Sequence, residues 1–187
     1  MSGRSKTSTG PSLFERAARR DASGPVPLAD RVRPESLVDM FGHASLVGAS
    51  GTLAQAIADD RLGSIILWGP PGSGKTTLAS IIAGYTRARY VPFSAVLGGV
   101  AELRKIVGEA KAYRRSGAER TLLFVDEIHR FNRAQQDAFL PHVEDGSITL
   151  IGATTENPSF ALNAPLLSRC TVYRLEPLGD EDIVNVL

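Results

Sequence analysis

The amino-acid sequence predicts an α/β protein built on a mainly parallel sheet of five strands, with helices on both faces. Continuous apolar runs at residues 65–68, 122–125 and 148–151 are typical of strands buried on both faces. Weaker strand patterns lie at 90–94 and 171–175, and helical patterns separate the strands. Alternating strands and helices indicate βαβ units, which build parallel sheets.

Two segments between the predicted strands have helical patterns, residues 76–85 and 100–113. In the second, apolar residues at helical spacing form one stripe, which we expect to pack on the sheet: Val100, Leu103, Ile106, Val107, Ala110 and Tyr113. Residues 1–25 are rich in Ser, Gly, Arg and Pro and predict a flexible tail. A globular core is expected over residues 26–176.

Composition limits the classes of function. The chain has 187 residues, 43% of them hydrophobic, and a net charge of +1, as expected of one ordinary globular domain. A site for nucleic acid must therefore be a local basic patch. The single cysteine, Cys170, excludes an internal disulfide and fits a reducing compartment. No apolar run approaches the length of a membrane span, so we expect a cytoplasmic protein without membrane contacts.

The strongest motif is a phosphate-binding loop between the first strand and the first clear helix. Eight consecutive residues match G-x-x-x-x-G-K-[ST]: Gly69, Pro70, Pro71, Gly72, Ser73, Gly74, Lys75 and Thr76. Glycines let backbone N–H groups point at phosphate oxygens, and the helix that follows adds the positive end of its dipole. Lys75 is expected at the β- and γ-phosphates, and the Thr76 hydroxyl on Mg²⁺. ATP and Mg²⁺ are the predicted ligands.

An acidic pair, Asp126 and Glu127, follows the strand at 122–125 within the stretch FVDEIHR. Beside a phosphate loop, Asp126 is expected to hold the Mg²⁺ shell and Glu127 to act as general base on the attacking water. The letters DEIH also resemble the DExH box of helicases. However, the segment between Lys75 and Asp126 is too short for the nucleic-acid motifs of such helicases. For His129, a surface role is favoured over coupling of DNA binding to hydrolysis.

Further motifs resemble those of AAA+ ATPases. GPPGSGKTT, which extends the phosphate loop to Thr77, is similar to their Walker A sequence. The segment 154–157 resembles the sensor 1 position, for which we choose Thr155, with Thr154 and Asn157 as alternatives. Residues 168–170 resemble the SRC motif of clamp-loader ATPases, which implies that Arg169 reaches the nucleotide of a neighbouring subunit. A structural ion pair is the alternative role of Arg169.

Longer stretches resemble one family: PLADRVRPESL at 27–37, ILWGPPGSGKTTLA at 66–79, SAVLGGVAELR at 94–104, and above all residues 124–170. These are similar to the replication-associated recombination protein A family, the bacterial counterpart of the Werner helicase-interacting ATPase. The resemblance implies a DNA-dependent ATPase at stalled or gapped replication forks, a homotetramer, and contact with single-stranded-DNA-binding protein. It also implies that Leu28, Ala29 and Arg31 line the adenine pocket.

The chain departs from this family at two places. Phe41-Gly42-His43 stands where the family has Val/Ile-Gly-Gln, which affects the loop before the first strand rather than catalysis. Residues 177–187 begin the helical lid, whose remainder is absent. We therefore expect these 187 residues alone to bind ATP weakly and to hydrolyse it slowly, compared with the full-length protein.

Three interpretations of function stay open at this stage. The leading one is a DNA-dependent AAA+ ATPase in fork maintenance. The alternatives are a clamp-loader subunit or branch-migration motor, and a nucleotide-dependent regulatory module with little turnover. Basic residues on the 100–113 helix and just beyond it suit either DNA phosphates or a solvated helix face: Arg104, Lys105, Lys111, Arg114 and Arg115.

Overall fold

Five parallel strands form one sheet in the described part of the chain: β1 (Ile65–Trp68), β2 (Arg89–Ser94), β3 (Thr121–Asp126), β4 (Ile148–Thr154) and β5 (Thr171–Arg174). Their order is β2-β3-β4-β1-β5. This computed structural model describes residue 28 and residues 32–48, 50–59, 61–117 and 119–186. The predicted α/β fold is confirmed. The predicted tail, residues 1–25, lies outside the described residues.

The structure separates into two units, Met1–Arg33 and Pro34–Leu187. In the first unit, the Val32 N–H donates to the Leu28 carbonyl at 3.0 Å. The sheet and the helices that cover it belong to the second unit.

Helices connect the strands and cover the sheet: α1 (Ala44–Val47), α2 (Thr52–Ala58), α3 (Lys75–Tyr85), α4 (Val100–Arg115), α5 (Arg133–Asp137), α6 (Leu140–Glu144), α7 (Pro158–Ala161), α8 (Ala164–Leu167) and α9 (Asp180–Val186). A 3-10 turn, Ile128–Arg130, follows β3 directly. Each of the five predicted strands is present, and β4 extends three residues beyond its apolar run. Among the described residues, no helix combines the length and the apolar composition of a membrane span.

The sheet separates two apolar clusters, because successive strand residues face opposite sides. Ile65 and Leu67 of β1 pack with residues of α2 and α3, whereas Ile66 packs on the other face. The second cluster combines strand residues with α4 and with the segments that follow β3 and β4, and it includes Phe131 and Phe139. Both faces are therefore filled, as the apolar runs predicted.

The apolar stripe of α4 is only partly covered. Within the stripe, Leu103 and Ala110 are buried, and Ile106 and Val107 are half-buried. Val100 and Tyr113, at its two ends, are 42% and 38% exposed. The expectation that the whole stripe packs on the sheet was wrong for its two ends. Both residues lie in the terminal turns of α4, and the Tyr113 ring lies against the guanidinium of Arg89, 5.8 Å from the ring centroid, at the surface.

The second cluster provides a stability test. Phe139 is fully buried and its ring lies 5.6 Å from that of Phe131, whereas Phe160 is 90% exposed. We expect Phe139→Ala to lower the free energy of unfolding by about 3–5 kcal/mol, because it removes a packed ring and leaves a cavity. The control Phe160→Ala should change it by less than about 0.5 kcal/mol. Urea titration of both variants measures the difference, and equal losses would contradict the packing described.

Candidate nucleotide site

The carboxyl ends of β1, β3 and β4 meet at one edge of the sheet. β4 lies between the other two strands, and its register pairs Thr154 with Trp68 and Gly152 with Val125. The loop after β1 begins at this edge, where the Gly69 N–H donates to the Thr154 carbonyl at 3.2 Å. The predicted phosphate loop, acidic pair and sensor segment therefore share one edge, which is the usual ligand edge of an open α/β sheet.

The phosphate loop depends on its glycines. Gly72 and Gly74 have φ values of 78° and 85°, in the left-handed region that side chains disfavour. At Gly69, an added Cβ would lie 2.3 Å from the Leu175 carbonyl oxygen. Gly74 is also the N-cap of α3, a helix of 11 residues. The loop amides and the positive end of this helix form a site for an anion.

Lys75 is 8% exposed, and its Nζ donates to the carbonyl oxygens of Gly69 at 2.9 Å and Pro70 at 2.8 Å. These bonds use two of the three ammonium N–H groups. Burial lowers the pKa of Lys75, and the carboxylates of Glu127 and Asp126 partly oppose this effect. Lys75 is thus held beneath the loop, near the predicted metal ligand Asp126 and the predicted general base Glu127.

The acidic pair lies in a strained turn at the end of β3. Glu127 has φ 56° and ψ 44°, and it is the one described residue other than glycine with a positive φ. Its N–H donates to Asp126 Oδ1 at 3.1 Å. Such backbone costs on the order of 1–3 kcal/mol and is found mostly at functional sites. The two carboxylates have different partners: Asp126 Oδ1 accepts from the Glu127 N–H, whereas Glu127 Oε2 lies 3.1 Å from His129 Nε2.

His129 occupies the interior of the site. Its side chain is 5% exposed, with Nε2 3.1 Å from Glu127 Oε2 and Nδ1 3.1 Å from Thr154 Oγ1. A second carboxylate, Glu156 Oε1, lies 3.6 Å from Nε2. The predicted surface role of His129 was wrong, because the 3-10 turn carries the ring back beneath the end of β4.

The three sensor candidates differ in their contacts. Thr154 is fully buried, and its hydroxyl accepts a hydrogen bond from the Glu156 N–H at 3.0 Å. Asn157 caps α7 by accepting from the Ser159 N–H at 3.0 Å. Both alternatives to Thr155 thus have structural roles. Thr155 is half-buried just beyond β4, and its choice as sensor 1 stays a prediction.

Arg169 lies just after α8 on the surface. One guanidinium nitrogen is 2.5 Å from Glu144 Oε1, and another donates to the Pro165 carbonyl at 2.7 Å. The ion pair named as the alternative role is therefore present. Both of its side chains are substantially exposed, so it contributes about 0–1 kcal/mol and does not exclude a role toward a neighbouring subunit. Burial raises the pKa of the adjacent Cys170 to about 11, as for an unreactive structural thiol.

Two oxygen donors fit the predicted Mg²⁺. Thr76 is exposed in the first turn of α3, and Asp126 is half-buried at the end of β3. Mg²⁺ prefers oxygen ligands and takes most of them from phosphates and water in sites of this kind, so a hydroxyl and one carboxylate are a suitable protein contribution. Thr77 follows in the same turn and is half-buried.

The adenine pocket stays a prediction. Leu28 belongs to the first unit, and Ala29 and Arg31 lie outside the described residues.

Sequence reasoning missed one residue at the phosphate loop, His43. It is 4% exposed, and its Nε2 lies 2.9 Å from the Ser73 carbonyl oxygen, to which it donates. From the sequence, the departure at Phe41-Gly42-His43 was expected to affect the loop before the first strand and not catalysis. In the structure, the His43 ring contacts the phosphate loop itself. One property of the sequence could have indicated this role. The family pattern has glutamine at this position, and glutamine and histidine both carry a side-chain N–H donor.

Replacement of His43 should test this support. We expect His43→Ala to weaken binding of a fluorescent ATP analogue by about three- to tenfold, since a hydrogen bond contributes about 0.5–1.5 kcal/mol. The matched variant His43→Gln retains a donor and should bind within about twofold of the wild type. Equal affinity for the alanine variant and the wild type would show that the loop does not need this contact.

Comparisons with known proteins agree with this geometry. The family described as "ATPase family associated with various cellular activities (AAA)" matches residues 65–178. Replication-associated recombination protein A of Escherichia coli K12 is 57% identical over 161 residues, which are 86% of this chain and 36% of that protein. The ATPase WRNIP1 of Dictyostelium discoideum is 44% identical over 161 residues, covering 86% of this chain and 18% of that one.

Among solved structures, the RuvB Holliday junction branch migration motor of Thermotoga maritima superposes with a TM-score of 0.59 at 34% identity. The match covers 78% of this chain and 48% of that one. The chain thus spans about a third of the length of its bacterial relative. It belongs to the AAA family of ATPases, and its predicted resemblance to the replication-associated recombination protein A family is confirmed.

Proposed function

We propose that this chain is the ATP-hydrolysing core of a DNA-dependent ATPase that acts in replication-fork maintenance and recombination. The observation that carries the proposal is the common edge at which Lys75, Asp126 and Glu127 lie, with Glu127 held in a strained turn. A nucleotide-binding module without turnover has no need of the second carboxylate in that conformation.

Each residue has a defined task in this proposal. The loop amides and Lys75 hold the β- and γ-phosphates, while Thr76 and Asp126 supply oxygen ligands to Mg²⁺, which neutralises phosphate charge when bound. Glu127 accepts a proton from the attacking water or orients it, and Thr155 contacts the γ-phosphate or that water. The buried position of Lys75 keeps its charge in a medium of low dielectric constant, where it acts more strongly on phosphate.

Completion of the site by a second subunit is also part of the proposal. Arg169 is exposed, and the carboxylate of Glu144 is an exchangeable partner that a γ-phosphate can replace. In an oligomer, a tetramer by family resemblance, Arg169 of one subunit neutralises charge in the transition state of the next.

DNA is the proposed effector, bound at forks, ends and single-strand/double-strand junctions. The five basic residues of α4 are exposed, while Glu109 on the same helix is paired with Arg89 of β2 at 3.1 Å. Arg114 also lines a cavity of about 520 Å³, whose other polar or aromatic lining residues are Arg87, Arg120, Glu119 and the half-exposed Tyr85. Guanidinium groups and an aromatic ring suit phosphates and bases of single strands. Contact with single-stranded-DNA-binding protein and a cytoplasmic, nucleoid-associated location complete the proposal.

Turnover measurements test the catalytic assignment. In the complete gene product, we expect forked DNA to stimulate ATP hydrolysis, and higher salt to reduce the stimulation because phosphate contacts release counterions. Glu127→Gln should lower kcat by about 10²–10⁴-fold and still bind ATP, whereas Lys75→Ala should also weaken binding.

Two outcomes would redirect the proposal. Binding of ATP without hydrolysis in the wild type, with or without DNA, would favour the nucleotide-dependent regulatory module. Hydrolysis that DNA does not change would retain the ATPase and remove DNA as its effector.

Mixing of inactive subunits tests the role of Arg169. Glu127→Gln and Arg169→Ala should each be inactive alone, but their mixture should recover part of the wild-type rate, because some interfaces pair an intact Glu127 with an intact Arg169. The control is a Glu144→Gln variant mixed with Glu127→Gln. It removes the ion-pair partner of Arg169 within the chain and keeps Arg169 itself. A mixture without recovery would assign Arg169 to its own subunit.

A further inference from the structure

We propose that His129 is a positioning residue that orients the Glu127 carboxylate and connects it to the carboxyl end of β4. The inference rests on the proposed ATPase function, in which Glu127 acts on the attacking water. It assigns the second histidine of the site to control of the general base, and not to contact with DNA.

The contacts around the ring form one chain of hydrogen bonds. The Glu156 N–H donates to Thr154 Oγ1 at 3.0 Å, Thr154 Oγ1 lies 3.1 Å from His129 Nδ1, and His129 Nε2 lies 3.1 Å from Glu127 Oε2. The four residues come from the ends of two neighbouring strands, β3 and β4. The general base is thereby linked to the segment that contains the sensor 1 candidates.

The partners determine which atoms carry protons. Thr154 Oγ1 accepts from the Glu156 N–H, and its own proton can go to His129 Nδ1 or to the Glu156 carbonyl oxygen, which lies 3.3 Å away. In either arrangement, the ring nitrogen that faces a carboxylate oxygen must carry a proton, so the Nε2–H donates to Glu127 Oε2. One oxygen of Glu127 is engaged by the ring, and the other remains an acceptor for water.

Such an anchor is needed because of the length of the glutamate side chain. Glu127 is about one-third exposed and has three rotatable side-chain bonds, so without a partner its carboxylate samples several directions. His129 is 5% exposed and packed beneath the strand end, which makes it a rigid support. A displacement of Thr154, at the end of the strand that carries the sensor segment, moves the ring and with it the carboxylate.

Two substitutions separate the two ring contacts. The amide nitrogen of His129→Gln can take the place of Nε2 and still donate to Glu127. The shorter His129→Asn places its amide near Nδ1, where it keeps Thr154 and loses Glu127. If His129 only filled space, the two substitutions would have equal effects on kcat.

We expect His129→Asn in the complete gene product to lower kcat by about 10–100-fold, the loss typical for residues that orient catalytic groups. The KM for ATP should stay within about threefold, because binding by the phosphate loop is unchanged. His129→Gln should recover most of kcat. In a Glu127→Gln background, His129→Asn should change the residual rate by less than about twofold, since the group it orients is already lost.

Glu156→Gln is the matched control, because it keeps the main-chain N–H through which Glu156 takes part in the chain of hydrogen bonds and changes only the side chain. This carboxylate also faces His129 Nε2, but at 3.6 Å and with a side chain 62% exposed, so its replacement should leave kcat within about twofold. Equal kcat for His129→Asn and the wild type would overturn the inference, and so would equal losses in the asparagine and glutamine variants. If the wild type itself binds ATP without turnover that depends on Glu127, the proposed function fails first, and the two failures are thus distinguishable.

Discussion

The pairing of β4 between β1 and β3 is the constraint on which the rest of this site depends. The phosphate loop follows β1 and the acidic pair follows β3, and only β4 lies between these two strands in the sheet. In the sequence, about 50 residues separate the loop from the pair. It also contributes its own end, where Thr154 accepts from the Gly69 N–H through its carbonyl and contacts His129 through its hydroxyl. All seven of its residues are buried, so its position is well determined by packing on both faces.

Histidines contact two parts of the site, the phosphate loop and the Glu127 carboxylate. His43 supports the phosphate loop from the segment before α1, and His129 supports the Glu127 carboxylate from the turn after β3. Each ring is almost fully buried and donates through Nε2 to an oxygen whose position matters for chemistry. A buried donor in a medium of low dielectric constant restrains its acceptor more strongly than one in water, which explains why both rings lie inside the protein.

The surface has a different organisation, because the groups proposed to meet partners are exposed and weakly held. Arg169 pairs with a carboxylate that is half-exposed, and the basic residues of α4 are exposed to solvent. Weak pairs of this kind exchange easily for phosphate, at a small cost in stability. The rigid interior and exchangeable exterior suit a site that one subunit prepares and another completes.

The sequence by itself determined the fold class, the five strands, the phosphate loop and the acidic pair. Apolar runs and the eight-residue loop motif are local patterns, and a parallel sheet necessarily gathers the ends of its strands at one edge. Only the tertiary structure decided where His129 and His43 lie, which ends of the α4 stripe stay exposed, and that Arg169 pairs with Glu144. These features depend on contacts between residues far apart in the chain, which periodicity does not encode.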